Sequence, residues 1–380
     1  MTLHLSPSYL PSTLYGGPII SVSRLCETQV AAGMAVQVLT TTANGPSELA
    51  VPIAQAQMVN GVSVYYHRRY TKDHSHLAPG LWWHLWRVLP QVEYVHLHSW
   101  WNLVIMPALV LCRLRGRRVV LSPRGMLSPY TLRHPLKALF HRWVGRYLLR
   151  GAVLHATSEQ EAQELALVVP GAQVFVAPNI IQLPQPGQLR PRVAAVGAGT
   201  EVFSLLFLSR IDPKKGLEPL FQALQACTFP WRLRLAGTGS VEYTASLQKL
   251  ATELGISAQL EWFGWADEQE KYRLFVEADL FVLPSHNENF ANVVIEALAV
   301  GTPVLLSPMV GLSAYVEAED MGWICPNSPT ELSKTLDLAW QDQAKRARIQ
   351  LESPERIQRD FNATAVAAQY LAAYERYAAA

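Results

Sequence analysis

The chain has 380 residues, of which 50% are hydrophobic and 16% charged, with a formal net charge of +2. That composition excludes a disordered chain and leaves room for two folded domains. Four scattered cysteines (Cys26, Cys112, Cys227 and Cys325) form no CxxC pair, which excludes a zinc ribbon or a disulfide framework and fits a reducing cytoplasm.

Apolar runs of strand length follow one another along the first half: Leu3–Ser6, Ala35–Thr41, Val62–Tyr66, Tyr94–His98, Arg118–Ser122, Ala152–Ala156 and Gln173–Ala177. Helical patterns lie between several of them, including Ile19–Ala32, Leu103–Leu114 and Leu132–Leu149, and Gly33 stands where a helix-terminating glycine belongs. The Pro- and Gly-rich stretch Leu183–Thr200 interrupts the alternation and reads as a linker. Strands then resume at Phe203–Leu208, Trp231–Ala236, Gln259–Phe263, Ala278–Leu283, Thr302–Leu306 and Gly322–Ile324, and a helix over Asn362–Tyr377 ends the chain. The expected fold is α/β, with two Rossmann-like, doubly wound parallel-sheet domains at 1–183 and 201–360 and a linker at 184–200. The segment 361–380 is expected to pack back on the first domain. Such sheets bind ligands at the carboxyl ends of their strands, which predicts a cleft between the domains.

The small net charge hides an asymmetry. Residues 1–200 carry 17 Lys and Arg against 7 Asp and Glu, whereas residues 201–380 carry 15 against 23. Ten basic residues and no acid lie between Arg113 and Arg150. Within that block Leu136, Leu139, Phe140 and Trp143 form an apolar stripe, and Arg142, Arg146 and Arg150 a basic one. This suits an anionic membrane surface contacted through 113–150; the alternative is a core helix with a solvated basic face. Nucleic acid is the weaker polyanionic candidate. The N-terminus reads as a strand, not a leader, and the longest apolar run, Leu103–Cys112, is too short to span a bilayer. The expectation is a cytoplasmic protein, soluble or peripheral at the inner face of the plasma membrane.

The most informative stretch is Pro284–Pro303, PSHNENFANVVIEALAVGTP. Small and polar residues run from a strand into a helix start, which suits an anion. Glu288 in the loop and Glu296 in the helix suit neutral hydroxyls, so the pair points to a polyol phosphate. Leu208–Gly216, LSRIDPKKG, brings Arg210 and Lys215 to the end of another strand, where both could meet a phosphate. Gly237 and Gly239 in LAGTGS, and Gly16 and Gly17 in YGGP, stand at two further strand-to-helix turns; a plain tight turn is the alternative for the first pair, and a flexible loop before a helix for the second. His96 and His98 share one face of a strand, His98 at its end, where a ligand contact is expected. No further residues at metal-ligand spacing accompany them, so no metal is expected.

In this order the motifs resemble glycosyltransferase family 4, retaining enzymes of the GT-B fold, and in particular bacterial polysaccharide and envelope-glycan enzymes. The resemblance rests on Gly16–Gly17, His98, ATSEQEA at Ala156–Ala162, Pro178–Asn179, LSRIDPKKG, Gly237–Gly239, FGW at Phe263–Trp265 and HNENFANVVIEALAVGTPV. It implies that Arg210 and Lys215 bind the donor diphosphate, Glu288 the donor sugar and Glu296 the ribose. It further implies backbone contacts from Asn289, Phe290, Ala291 and Asn292, contacts from Gly237, Gly239 and Gly264, approach of Gly16 and Gly17 to the diphosphate, and His98 near the sugar. No cofactor or catalytic metal is implied beyond the donor. Two departures stand out: Arg124 in SPRGM occupies a place where many relatives have histidine and is a candidate phosphate ligand, and Ala291 replaces the usual glycine. The implied function is transfer of a hexose from a nucleotide diphosphate sugar, a UDP-sugar such as UDP-glucose first, to a glycan or polyprenyl-diphosphate-linked acceptor in polysaccharide biosynthesis. A GDP-mannose-dependent mannosyltransferase, a hydrolase using Glu288 and Glu296, and a non-catalytic nucleotide-sugar or nucleic-acid scaffold are the alternatives.

Overall fold

The computed structural model describes residues 1–12, 14, 16–184 and 202–378. The chain divides into two compact units, Met1–Gln182 with Phe361–Ala380, and Leu183–Asp360. The expected linker at 184–200 lies almost wholly outside the described residues.

The first unit is built on β1 (Thr2–Leu5), β2 (Val36–Thr41), β5 (Ala56–Val59), β6 (Val62–His67), β7 (Tyr94–His98), β8 (Val119–Ser122), β9 (Val153–Ala156) and β10 (Gln173–Val176). A separate two-stranded hairpin joins β3 (Ala43–Asn44) to β4 (Ser47–Glu48). The main sheet runs β10-β9-β8-β7-β1-β2-β6-β5. Strands β1, β8 and β9 are buried at every position, so their polar members Thr2, His4, Ser122 and His155 lie inside along with the apolar ones. Every pairing is parallel except β5 with β6 at the edge. Those two strands are joined by Asn60 and Gly61, both at positive φ (49° and 81°), the two-residue turn whose twist matches a hairpin. This antiparallel edge was not anticipated, although Asn-Gly between two apolar stretches was its signal.

The helix Gly17–Ala31 stops at Gly33 (φ 83°), whose N–H donates to the Val30 carbonyl at 2.9 Å while Met34 N–H reaches the Gln29 carbonyl at 3.0 Å. The C-terminal helix Ala363–Ala378 belongs to this unit. Its Val366, Ala367, Tyr370 and Tyr374 pack on Leu25, Val120, Val153 and Ile180.

The expected single helix over Leu132–Leu149 is instead a series: a 3-10 turn Thr131–Arg133, an α-helix Pro135–Phe140, a π turn His141–Gly145 and a last α turn Arg146–Leu149. Pro135 pushes His134 into an extended conformation and restarts the helix. At the π turn the His141 ring sits where a side chain on residue 145 would be, so Gly145 accommodates it, and His141 Nε2 donates to the Val168 carbonyl at 3.0 Å. Leu136, Leu139 and Trp143 are 70%, 56% and 70% exposed. These three members of the stripe face solvent, whereas Phe140 is half-buried against Trp101, their ring centroids 5.9 Å apart, so the core-helix alternative holds only for Phe140.

The second unit is a six-stranded parallel sheet, β13-β12-β11-β14-β15-β16, built from β11 (Phe203–Leu208), β12 (Trp231–Ala236), β13 (Leu260–Gly264), β14 (Leu280–Leu283), β15 (Val304–Leu306) and β16 (Gly322–Ile324). Strand order reverses between β11 and β14 here, and between β1 and β7 in the first unit. The carboxyl ends of strands flanking such a reversal are where doubly wound sheets hold ligands.

Candidate active site

In the second unit the two motifs that flank the reversal meet. After β11 the chain passes through Arg210 and turns at Asp212, whose side chain accepts from Lys214 N–H at 2.9 Å and caps the short 3-10 turn Pro213–Lys215. Gly216 follows at φ 71° and opens the helix Leu217–Gln225; a Cβ there would lie 2.2 Å from the Pro284 carbonyl oxygen, so only glycine lets the two loops close on each other. His286 N–H donates to the Lys214 carbonyl at 2.8 Å and locks the same approach. The result is an ion pair between Lys215 Nζ and Glu288 Oε2, with the lysine side chain 9% and the glutamate 23% exposed. Backbone bonds from Glu288 N–H to Met309 O and from Gly311 N–H to Glu288 O, each 2.9 Å, hold the carboxylate's own segment. Arg210 is exposed beside them and lies outside any ion pair among the described residues.

Glu296 sits in the helix Asn292–Leu298 and pairs with Lys271 of the helix Glu268–Glu277 at 2.9 Å. Lys271 was not singled out from the sequence; its KYR context looks like any solvated helix face. Ala291 precedes the helix at φ 70°, ψ 73°, the left-handed region. That conformation explains the glycine usual at this place and puts a strain of about 1 kcal/mol on alanine.

The glycine turns have a structural reason closer than any ligand. A Cβ on Gly237 (φ 137°) would lie 1.9 Å from the Ser209 carbonyl oxygen, and one on Gly239 would lie 2.1 Å from that of Ile211. Gly237 N–H donates to the carbonyl of Gly264 (φ 79°) at 2.6 Å, and Ile211 N–H to the Thr238 carbonyl at 2.9 Å. These glycines let the loop carrying Arg210 pass.

In the first unit Gly16 (φ 72°) caps the helix that Gly17 begins; no side chain caps that helix start, and neither Tyr15 nor Thr13 is among the described residues. His98 ends β7 and is fully buried, not poised at an open edge. Its Nε2 is 2.9 Å from His4 Nδ1 on β1, and its Nδ1 is 3.5 Å from an Arg124 terminal nitrogen. Arg124, at φ 53°, donates to Asn179 Oδ1 at 2.9 Å, while its Nε is buried without a partner. No carboxylate lies within ion-pair distance of it among the described residues. The buried Glu161 of ATSEQEA instead accepts from Gly125 N–H at 2.8 Å and from Thr157 N–H at 2.7 Å, and so holds the SPRGM loop in place.

His4, His96 and His98 bring ring nitrogens within 4.8 Å of one another. A metal does not fit this cluster: His4 Nδ1 and His98 Nε2 bond each other, and both nitrogens of His96 are spent on Tyr374 (2.7 Å) and Ser122 (2.5 Å). Burial drives His96 and His98 well below the usual histidine range, takes His4 to about 4 and takes His155 to about 3.

Two family descriptions match the chain, "Glycosyl transferase 4-like domain" over residues 16–180 and "Glycosyl transferases group 1" over residues 194–356. A D-inositol 3-phosphate glycosyltransferase of Saccharomonospora viridis is 30% identical over 214 residues, 52% of this chain and 48% of the relative. An uncharacterized glycosyltransferase of Methanocaldococcus jannaschii is 29% identical over 156 residues, 41% of this chain and 40% of the relative. The chain thus matches less than half the length of these curated relatives. Among solved structures, sucrose-phosphate synthase from Thermosynechococcus elongatus superposes with a TM-score of 0.76 at 21% identity, over 100% of this chain and 99% of that one. Anabaena HepE in complex with UDP and glucose gives 0.74 at 20% identity, over 99% of each chain. The chain belongs to the GT-B glycosyltransferases of the family 4 type.

Proposed function

We propose that the protein is a retaining glycosyltransferase that moves a hexose from a nucleotide diphosphate sugar, UDP-glucose being the first candidate, to a glycan or polyprenyl-diphosphate-linked acceptor in polysaccharide biosynthesis. The observation that carries this reading is the Lys215–Glu288 pair beside Arg210 at the strand-order reversal of the second unit. A bound diphosphate gives Lys215 a second anion to face, and Glu288 then has acceptor capacity for sugar hydroxyls. As the bond from sugar C1 to the diphosphate oxygen breaks, negative charge gathers on the leaving group, and Lys215 with Arg210 stabilises it. The acceptor oxygen forms the new bond to C1, and its proton passes to the departing phosphate oxygen. Lys271 orients Glu296 for the ribose hydroxyls. A HepE structure holding UDP and glucose agrees with the donor class. The hydrolase alternative is less well served, because each glutamate is engaged by its own lysine, whereas glycoside hydrolysis needs one carboxyl group that donates a proton.

The test is to incubate the protein with UDP-, GDP- and ADP-sugars, with and without glycan and lipid-linked acceptors, and to follow nucleotide release. Acceptor-dependent release of UDP is expected. Release of GDP alone would transfer the reading to a mannosyltransferase type, and no turnover or binding with any donor would overturn it.

A membrane-facing role for the first unit is supported by the exposed Leu136, Leu139, Trp143 and Tyr147 set among Arg142, Arg146 and Arg150, with no acid from 113 to 150. No helix among the described residues is long and apolar enough to cross a membrane. Co-sedimentation with anionic vesicles is expected to fall on the order of 100-fold when the three arginines are reversed to glutamate, at roughly 1 kcal/mol per basic residue. Equal sedimentation of both forms would remove the membrane from the account.

A further inference from the structure

The buried polar groups of the first unit form one continuous chain of hydrogen bonds. It runs from Arg124 to His98 (3.5 Å), His4 (2.9 Å), Gln29 (2.8 Å), Tyr374 (3.2 Å), His96 (2.7 Å), Ser122 (2.5 Å), His155 (2.6 Å) and the Ala177 carbonyl (2.8 Å). It draws on β1, β7, β8 and β9, on the helix Gly17–Ala31, and on the C-terminal helix through Tyr374.

The two ends of this chain decide the position of every proton in it. A guanidinium only donates, so His98 Nδ1 must accept. A neutral imidazole carries one N–H, so His98 Nε2 donates to His4 Nδ1, and His4 Nε2 donates to Gln29 Oε1. The Gln29 amide then donates to the Tyr374 oxygen, and the Tyr374 hydroxyl donates to His96 Nδ1. His96 Nε2 donates to Ser122, whose hydroxyl donates to His155 Nδ1. His155 Nε2 is left to donate to the Ala177 carbonyl, which only accepts. Worked backwards from Ala177, the same order results. A donor-only group and an acceptor-only group thus demand one and the same arrangement across four histidines. A second proton on any of these histidines would set two donors against each other in a site that water does not reach.

We infer that this relay locks His98 as a neutral imidazole protonated at Nε2, with its Nδ1 lone pair held toward Arg124. His4, Gln29, Tyr374, His96, Ser122 and His155 are positioning residues. They make His98 an acceptor that orients the guanidinium, whose Nε has no partner. Tyr374, 250 residues or more from most of the groups it aligns, makes the C-terminal helix a component of this end of the first unit. The inference concerns the protein without substrate and stands or falls separately from the donor and acceptor proposed above.

The experiment is nitrogen NMR on the full chain with 15N-labelled histidine at pH 7, with His98 assigned by its loss in His98→Gln. The expected spectrum has His98 protonated at Nε2 and bare at Nδ1, and one proton each on His4, His96 and His155, at Nε2. His98 protonated at Nδ1, or on both nitrogens, would overturn the relay. Tyr374→Phe removes the hydroxyl through which the two halves of the chain communicate, and is expected to shift the ring nitrogens of His96 and His4. Tyr370→Phe serves as control, because its hydroxyl donates to the Pro178 carbonyl at 3.2 Å outside the relay. Identical spectra for Tyr374→Phe and the unaltered protein would show that the hydroxyl aligns nothing, whereas shifts confined to Tyr374→Phe support the role. Should Tyr374→Phe fail to fold, the proton positions in the unaltered chain decide the matter.

Discussion

Lys215→Ala is expected to lower the rate of sugar transfer by about a thousand-fold, the scale set when a preorganised group that stabilises a leaving charge is removed. The lysine is buried, its segment is closed by Gly216 against the Pro284 carbonyl, and its ammonium is held on Glu288. It therefore meets a diphosphate without reorganisation. Unit 2 should remain folded. Truncating one partner of a largely buried pair strands the other, but Glu288 is partly exposed and water can solvate it, so the cost is about 1–2 kcal/mol. Glu288→Ala should lose transfer to a similar extent through the sugar. Steady-state kinetics with thermal unfolding on the same samples separates the possibilities. A near-normal rate in Lys215→Ala would remove the residue from the mechanism, and a lost rate with a collapsed unfolding temperature would assign it a structural role only.

Gly237→Ala is expected to fail in the opposite way, by destabilising unit 2 before any chemistry is affected. The added methyl group would stand 1.9 Å from the Ser209 carbonyl oxygen, on a backbone at φ 137° that L side chains rarely adopt. Overlap with backbone cannot be relieved by a rotamer change, and together with the strained φ it should cost roughly 3 kcal/mol or more. Urea unfolding should show a lower midpoint with the donor absent. Unchanged stability with donor binding lost would mean that the glycine exists for a ligand's approach and not for the passage of the Arg210 loop.

Much of the architecture was legible because the strands carry strong apolar patterns: the near-continuous apolar run Phe203–Leu208 and the alternating Trp231–Ala236, whose Arg232 is exposed, are strands at those very residues. What escaped had either a short signal or a distant partner. The edge hairpin at Asn60–Gly61 was announced by two residues only. The π turn at His141–Gly145 depends on a histidine folding over a glycine, which no periodicity encodes. Loop residues near Glu288 were legible as a group because loop, helix start and carboxylate are adjacent in sequence. Lys271, His4, Gln29 and Tyr374 were not, because each gains its meaning from a partner on another element, from 25 to 345 residues away. Ala291 lies between these cases: its departure from the usual glycine was visible, but the left-handed backbone behind the glycine needed coordinates.

The most direct measurement is nucleotide release from UDP-glucose by the unaltered chain and by Lys215→Ala, side by side, with a lipid-linked or glycan acceptor present and absent. The account predicts acceptor-dependent UDP release by the first and about a thousand-fold less by the second. Equal release by both proteins, or none from any UDP-, GDP- or ADP-sugar, would contradict it.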